Sequence, residues 1–385
     1  MGNTAVVIGA GIGGLAAAIG LHRIGWNVTV LERSSMPEDA GAGISLAANG
    51  LRALDALGVG GAVREASRGQ YSGGTRTPRG GWLARMDGSA LERAVGTPIQ
   101  GVPRSVLHRL LREAVPAESL VIGSEAATVE QIGPGTVQVG YGATVLEADL
   151  VVAADGIGSK VRGRLFPDHP GPVHSGSAVL RAITEHAVGL RTDFELTWGR
   201  GAEFGHIAFL DGRAEWHAVL GLPAGTRFAD PLAELRRRFR TWHDPVPALL
   251  DATRPEDVLH HDVNELRAPL PSYAVGRVAL LGDAAHAMTP HLGQGACQAL
   301  EDAVTLAAAL RAESTVGAAL ARYDAERRPR SQAVARAARQ AGRMGQQLSH
   351  PLAVTLRNTA MRLTPSRAAT RMILRHHAWV PPSLT

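Results

Sequence analysis

Residues 4–32 read TAVVIGAGIGGLAAAIGLHRIGWNVTVLE, and their order decides the fold. TAVVIG is a short β-branched apolar run that ends in glycine, the pattern of a strand buried on both faces of a parallel sheet. Residues 11–24 follow with apolar Leu15, Ala18, Ile19 and Leu21 at helical spacing, and Gly25 supplies a C-terminal cap. NVTVLE at 27–32 is a second strand. The segment is a βαβ unit, and GAGIGG at 9–14 lies at its first turn. Gly9 allows the tight turn, Gly11 lets the backbone approach a pyrophosphate, and Gly14 lets helix and strand pack closely. Free N–H groups and the positive dipole end of the helix face the phosphates. Glu32, ending the second strand, is placed to accept hydrogen bonds from an adenosine ribose, with Arg33 beside it.

Working outward, two more glycine-centred motifs appear: AADGIGSKVR at 153–162 and LLGDAAHAMTPHLGQG at 280–295. Each follows a short apolar run, DLVVAA at 149–154 and RVALLG at 277–282, that reads as a buried strand. Helices are expected at 49–57, 104–114 and 231–242. From Gly295 the pattern predicts helix to about Arg322 and again from 323 to 348, with one or two further helices in 351–375. Residues 69–81, GQYSGGTRTPRGG, read as a loop. Short strands with glycine turns predict a small β-meander between 120 and 149. Strands at 178–183, 204–210 and 215–220 predict a mostly antiparallel sheet.

The chain has 385 residues, 45% hydrophobic and 19% charged, with a net charge of +5. These values fit a globular protein with two or three core-forming units. No apolar run approaches the roughly 20 residues needed to span a bilayer, so no stable membrane insertion is expected. The N-terminus lacks the basic and small-residue features of a signal peptide. Cys297 is the single cysteine, which suits a reducing cytoplasm. The positive charge is almost all arginine, with Lys160 the one lysine. Its densest cluster, Arg236, Arg237, Arg238 and Arg240, has no interleaved aromatics and reads as a solvated helix face, which argues against nucleic acid as a partner. The sequence His260-His261-Asp262 lies in a β-like segment whose adjacent side chains point to opposite faces, so no metal site is expected.

With three motifs in this order, the chain resembles the FAD-dependent aromatic hydroxylases, the class A flavoprotein monooxygenases typified by para-hydroxybenzoate hydroxylase. Its length and wording are similar to the short single-component branch that includes salicylate, urate and 6-hydroxynicotinate hydroxylases. The resemblance implies an α/β fold: a discontinuous, Rossmann-like FAD-binding domain (residues 1–70, 101–172 and 270–330), an inserted, mostly antiparallel substrate domain (71–100 and 173–269), and C-terminal helices (331–385). It implies FAD as cofactor and NADH or NADPH as co-substrate. It implies O2 adding to flavin C4a, and the hydroperoxide passing an oxygen atom to a small aromatic or phenolic substrate. A monomer or homodimer is expected.

Carried over residue by residue, the resemblance places Asp283 on the ribityl chain and Arg104, which opens RSVLHRLL, at the FAD. It places Asp155 in the architecture beside the FAD pyrophosphate. Gly293, Gly295 and Ala296 bring bare backbone and a helix N-terminus to the flavin ring, where negative charge develops on reduction. Pro290, His291 and Gly293 then form the ring environment. Arg181, His206 and His217 on the predicted sheet are candidate substrate contacts, able to bind a carboxylate or take a phenol proton. Two departures stand out. Residues 41–45 carry no arginine, and the family's W-R-G wording reads Leu180-Arg181-Ala182 here. The same flavin fold also supports epoxidation, Baeyer–Villiger insertion or another oxidation in a biosynthetic pathway, and more remotely a non-enzymatic binding role.

Overall fold

The structure, a computed structural model, describes residues 3–35, 42–133, 135–364 and 374–384. Gly41, the first of the residues 41–45 named above, lies outside them, as do residues 365–373 of the expected tail helices. The central sheet has six strands in the order Ala274–Val275, Val278–Leu280, Leu150–Ala153, Thr4–Ile8, Asn27–Glu32 and Leu120–Ile122. All neighbours are parallel except the first pair. The three glycine motifs follow the C-terminal ends of three adjacent strands, the side of an open α/β sheet where ligands bind.

The Ile12–Arg23 and Gly295–Ala312 helices pack against each other over this sheet. A Cβ on Gly13 would lie 3.2 Å from the Ala299 methyl, and one on Gly20 would lie 3.1 Å from that of Ala307. Small residues let the two backbones approach, which explains the Ala and Gly of the first helix and the Ala of the second. Fourteen residues of the second helix are buried on every side of it, so it lacks an amphipathic stripe.

Polar residues in that buried helix need partners, and the chain supplies them from the long Val316–Met344 helix. Arg327 is buried and donates to Asp302 at 2.7 Å and to Glu301. Arg330 forks onto Glu301 at 2.6 and 2.7 Å. Asp302 also accepts from His286 at 2.6 Å and from the Gly282 N–H at 3.0 Å. Burial opposes ionisation of Asp302, but His286 and Arg327 prevail and lower its pKa.

The second sheet has seven strands in the order Leu259–Glu265, Val173–Ile183, Ala214–Gly221, Ala202–Ala208, Phe194–Trp198, Ser72–Arg76 and Trp82–Asp87. One pair, Phe194–Trp198 with Ser72–Arg76, is parallel and the others are antiparallel. Its outer face has a core of its own, with Leu180, Phe204 and Trp216 against Leu232, Leu235 and Phe239. The Pro231–Phe239 helix, capped by Asp230, covers it, and its arginines pair outward, Arg237 and Arg238 with Glu234 and Arg236 with Asp251. The expected meander is present as Thr128–Gln131, Val137–Tyr141 and Thr144–Ala148.

Two expectations are corrected. Residues 69–81 are not simply loop, because Ser72–Arg76 is a strand inside the second sheet. Gly73 and Gly74 have φ of +145° and +140°, and a Cβ on Gly73 would overlap the Phe194 carbonyl. The glycines are there for close backbone approach, a strand role that mimics turn composition. The helix break falls not near Arg322 but at residues 313–315, where Thr315 caps the next helix by accepting from the Ala318 N–H. That helix runs unbroken through Tyr323 to Met344.

The cluster makes a clear prediction. Arg327→Met leaves two buried carboxylates short of their shared cation and should lower unfolding stability by about 3–5 kcal/mol in urea titrations. A loss below about 1 kcal/mol would contradict this account of the core.

Candidate active site

The phosphate end of the site is built at the first motif. Gly9 has φ of +103°, and a Cβ there would meet the Ala154 carbonyl oxygen at 2.5 Å. A Cβ on Gly14 would overlap the Gly9 carbonyl, whereas Gly11 has open space beyond it. The Ile12–Arg23 helix has no side-chain cap and no acidic residue in its first turn, so its leading N–H groups and dipole remain available to an anion. Glu32 accepts from the Ala10 N–H at 2.7 Å and the Ser34 N–H at 2.9 Å, and each carboxylate oxygen keeps a second acceptor position. His108, buried in the Arg104–Glu113 helix, hydrogen-bonds the Ala10 carbonyl at 2.7 Å and braces the turn from behind. Arg33 is exposed near Glu125. Arg104 is exposed at the start of its helix, with its backbone N–H on the Ala42 carbonyl at 2.8 Å.

Arg162 joins the second motif to the third. Its buried guanidinium donates to the Ile157 carbonyl at 2.6 Å and the Ala284 carbonyl at 3.0 Å. Burial lowers its pKa, against the opposing pull of Asp155 and Asp283. Asp155 accepts from the Val161 N–H at 3.3 Å through Oδ2, while its buried Oδ1 has no hydrogen-bond partner among the described residues. Asp283 is exposed at the strand end, and its carboxylate makes no hydrogen bond among the described residues.

At the third motif Gly293 adopts φ of +59° and the Gly295–Ala312 helix begins. Its first turn again has no side-chain cap and no acid, and nothing lies within 4 Å of a Cβ placed on Gly295. Ala296 follows in the first turn. Gln294 is buried and takes the Asn49 amide on its Oε1 at 2.9 Å, leaving Nε2 as a buried donor without a partner among the described residues. Cys297 lies under Gly50, its pKa pushed up to about 12 by burial, so it packs as an inert thiol.

The inner face of the seven-stranded sheet carries a charged array facing this motif. Register aligns Arg181, His217 and Gly205 across three strands. Arg181 donates to Glu215 at 3.0 Å and to the Gly43 carbonyl at 2.6 Å. His217 holds Glu215 through Nδ1 at 3.2 Å, and its Nε2 lies 3.9 Å from Glu203. Gly205 leaves room for that imidazole, because a Cβ there would overlap it. Trp198 donates from its indole to Glu203 at 2.5 Å. Burial works against charge on His217, yet Glu215 and Glu203 outweigh it and raise its pKa. His291 packs against Gly342, and both ring nitrogens lack a partner among the described residues. Burial lowers its pKa, and it senses the charges of Glu203 and His217.

His206 is not brought to this array. It pairs across the sheet with Trp216, on the opposite face, and hydrogen-bonds the Thr192 carbonyl at 3.1 Å. Burial drops its pKa to about 4. Alternation placed His206 with Phe204, and that face is the helix-covered core, so the substrate-contact expectation for His206 is corrected. Sequence reasoning missed Asn49, Gln294, Glu301, Asp302, Arg327 and His108. The signal was present as Gln298, Glu301 and Asp302 at helical spacing inside an otherwise apolar helix.

The residues fit a flavin dinucleotide. The first motif offers a phosphate cradle, Glu32 a ribose acceptor, Asp155 and Asp283 polar groups without full partners, and Gln294 with the uncapped helix a set of donors for an electron-rich ring edge. Asp283→Ala should therefore weaken FAD binding by about 1.5–3 kcal/mol through loss of a charged hydrogen bond. Glu32→Ala should cost about 1–3 kcal/mol at the other end. Fluorescence titration of apoprotein with FAD reads both, and unchanged affinity in either variant removes that residue from the site.

Comparison with known proteins points to the same cofactor. The FAD binding domain family matches residues 3–338. Aurachin C monooxygenase/isomerase of Stigmatella aurantiaca is 35% identical over 95% of both chains. The 6-hydroxynicotinate 3-monooxygenase of Pseudomonas fluorescens is 34% identical over 86% of this chain and 89% of its own. Klebsiella pneumoniae HpxO, solved with FAD and uric acid, superposes with a TM-score of 0.91 at 27% identity, covering 99% of this chain and 97% of that one. The chain belongs to the FAD binding domain family and, within it, to the class A FAD-dependent flavoprotein monooxygenases.

Proposed function

We propose that the protein uses NADH or NADPH and O2 to hydroxylate a small aromatic or heteroaromatic ring that carries an acidic hydroxyl group. Bound FAD, once reduced by the nicotinamide nucleotide, supplies the activation of O2 and the transfer of one oxygen atom. The protein supplies position and proton handling. The observation that carries this reading is the Arg181–Glu215–His217 array on the sheet face opposite the third motif. Glu215 holds Nδ1–H of His217, which leaves Nε2 to accept a proton from the substrate hydroxyl. Glu203, beside Nε2, stabilises the imidazolium that results. Loss of that proton raises electron density on the ring and favours attack on an electrophilic oxygen. His291, held neutral by burial, positions the ring edge from the cofactor side.

The similarity to a monooxygenase/isomerase favours a second reading, in which oxygen insertion is followed by an isomerisation. Both readings add one oxygen, and they differ in product connectivity.

Two measurements check the proposal. Nucleotide oxidation in air by the FAD-loaded protein, against a panel of phenols and hydroxylated heteroaromatics, should be stimulated by a panel member that gains one oxygen by mass. Stimulation by none of them would contradict the substrate class. With a working substrate, kcat/KM should rise with pH through an apparent pKa above histidine's ordinary 6.5, because the base is active once His217 is neutral. His217→Asn should abolish that limb and lower kcat/KM about 100-fold or more. A limb that persists in the variant assigns the proton to another group.

A further inference from the structure

The Pro351–Leu363 helix presents a face that nothing in the described structure covers. Leu352, Leu356 and Leu363 are 75%, 72% and 77% exposed. At 3.6 residues per turn these three positions fall within about 40° of one another, so they form one stripe about 17 Å long. The opposite face is fixed. Arg357 is buried there, donates to the Gly345 carbonyl at 2.8 Å and lies over the Trp198 ring at 5.2 Å. The helix is thus locked onto the indole that holds Glu203, with its leucines turned outward.

The segment that carries the stripe is basic. From Arg327 to the end of the chain there are eleven arginines and no aspartate or glutamate, and of these Arg327, Arg328, Arg330 and Arg339 are paired with carboxylates elsewhere. Arg362 on the helix itself and Arg343, in the last turn of the preceding helix, are exposed and have no ion pair among the described residues. Met344, beside Arg343, is also exposed. Arg362 lies against Gly81, in the loop that carries exposed Arg79. A stripe of leucines flanked by arginines matches a surface that is apolar within and negatively charged at its boundary. A second copy apposed on the same face would set these arginines against each other.

We propose that this face docks the protein on an anionic lipid bilayer, with the helix lying in the interface. No helix among the described residues is long and apolar enough to cross a membrane, so the association is peripheral. The inference is independent of the substrate assigned above.

The test is co-sedimentation of the FAD-loaded full chain with vesicles of phosphatidylcholine containing phosphatidylglycerol, and with vesicles of phosphatidylcholine alone. Binding should occur on the anionic vesicles, weaken as NaCl is raised, and be absent on the neutral ones. The Leu352→Ser/Leu356→Ser/Leu363→Ser variant should bind at least about tenfold more weakly while keeping its flavin content and Tm. No binding to anionic vesicles, or equal binding by the variant, overturns the proposal. So does a lipid-free dimer in light scattering that the variant splits, since the stripe is then a protein interface. A drop in Tm without vesicle binding also overturns it, since the chain itself then covers the stripe.

Discussion

Asp302 ties three separated parts of the chain to one buried point. It receives the Gly282 N–H from the strand end that precedes Asp283, the His286 ring from the turn that follows, and Arg327 from the long C-terminal helix. Its neighbour Glu301 collects Arg327, Arg330 and the Asn49 amide, and Asn49 in turn holds Gln294 at the start of the cofactor helix. Ionised groups this deep persist only when paired and hydrogen-bonded. The helix that begins at Gly295 therefore has its position set by ions, where its small apolar side chains alone would allow it to slide.

That anchoring has a chemical consequence. In the proposed placement of the cofactor, the uncapped first turn of the Gly295–Ala312 helix presents bare N–H groups to a ring that gains negative charge. An uncapped end costs stability, and the Asp302–Arg327 cluster one to two turns further on offsets it. The other half of the site uses the reverse arrangement. On the sheet face, two glutamates, an arginine and a histidine are packed together, so a proton taken up by His217 brings the array from a net charge of −1 to neutral.

Much of this was legible in the sequence. The βαβ unit and the strand ends that carry each motif follow from local periodicity, and the structure has them, with the tight turn at Gly9 and the close packing at Gly14 that backbone sterics require. The faces of the second sheet were not legible. Alternation groups Phe204 with His206, and Glu215 with His217, but only cross-strand register reveals which group looks toward the cofactor. Gly73 and Gly74 misled because loops and close-packed strands both select glycine. The ion cluster was hidden for a different reason. Asp302 and Arg327 lie 25 residues apart on separate helices, and pairing at that range has no periodic signature.

A crystal structure of the protein with FAD tests the central claim most directly. The pyrophosphate is expected at Gly11, the ribityl chain on Asp283, and the carbonyl edge of the ring at the amides of residues 294–296, with the ring's open face toward His217 and Arg181. A flavin ring seated away from the Gly295–Ala312 helix, or one whose open face is sealed from the Arg181–Glu215–His217 array, would contradict it.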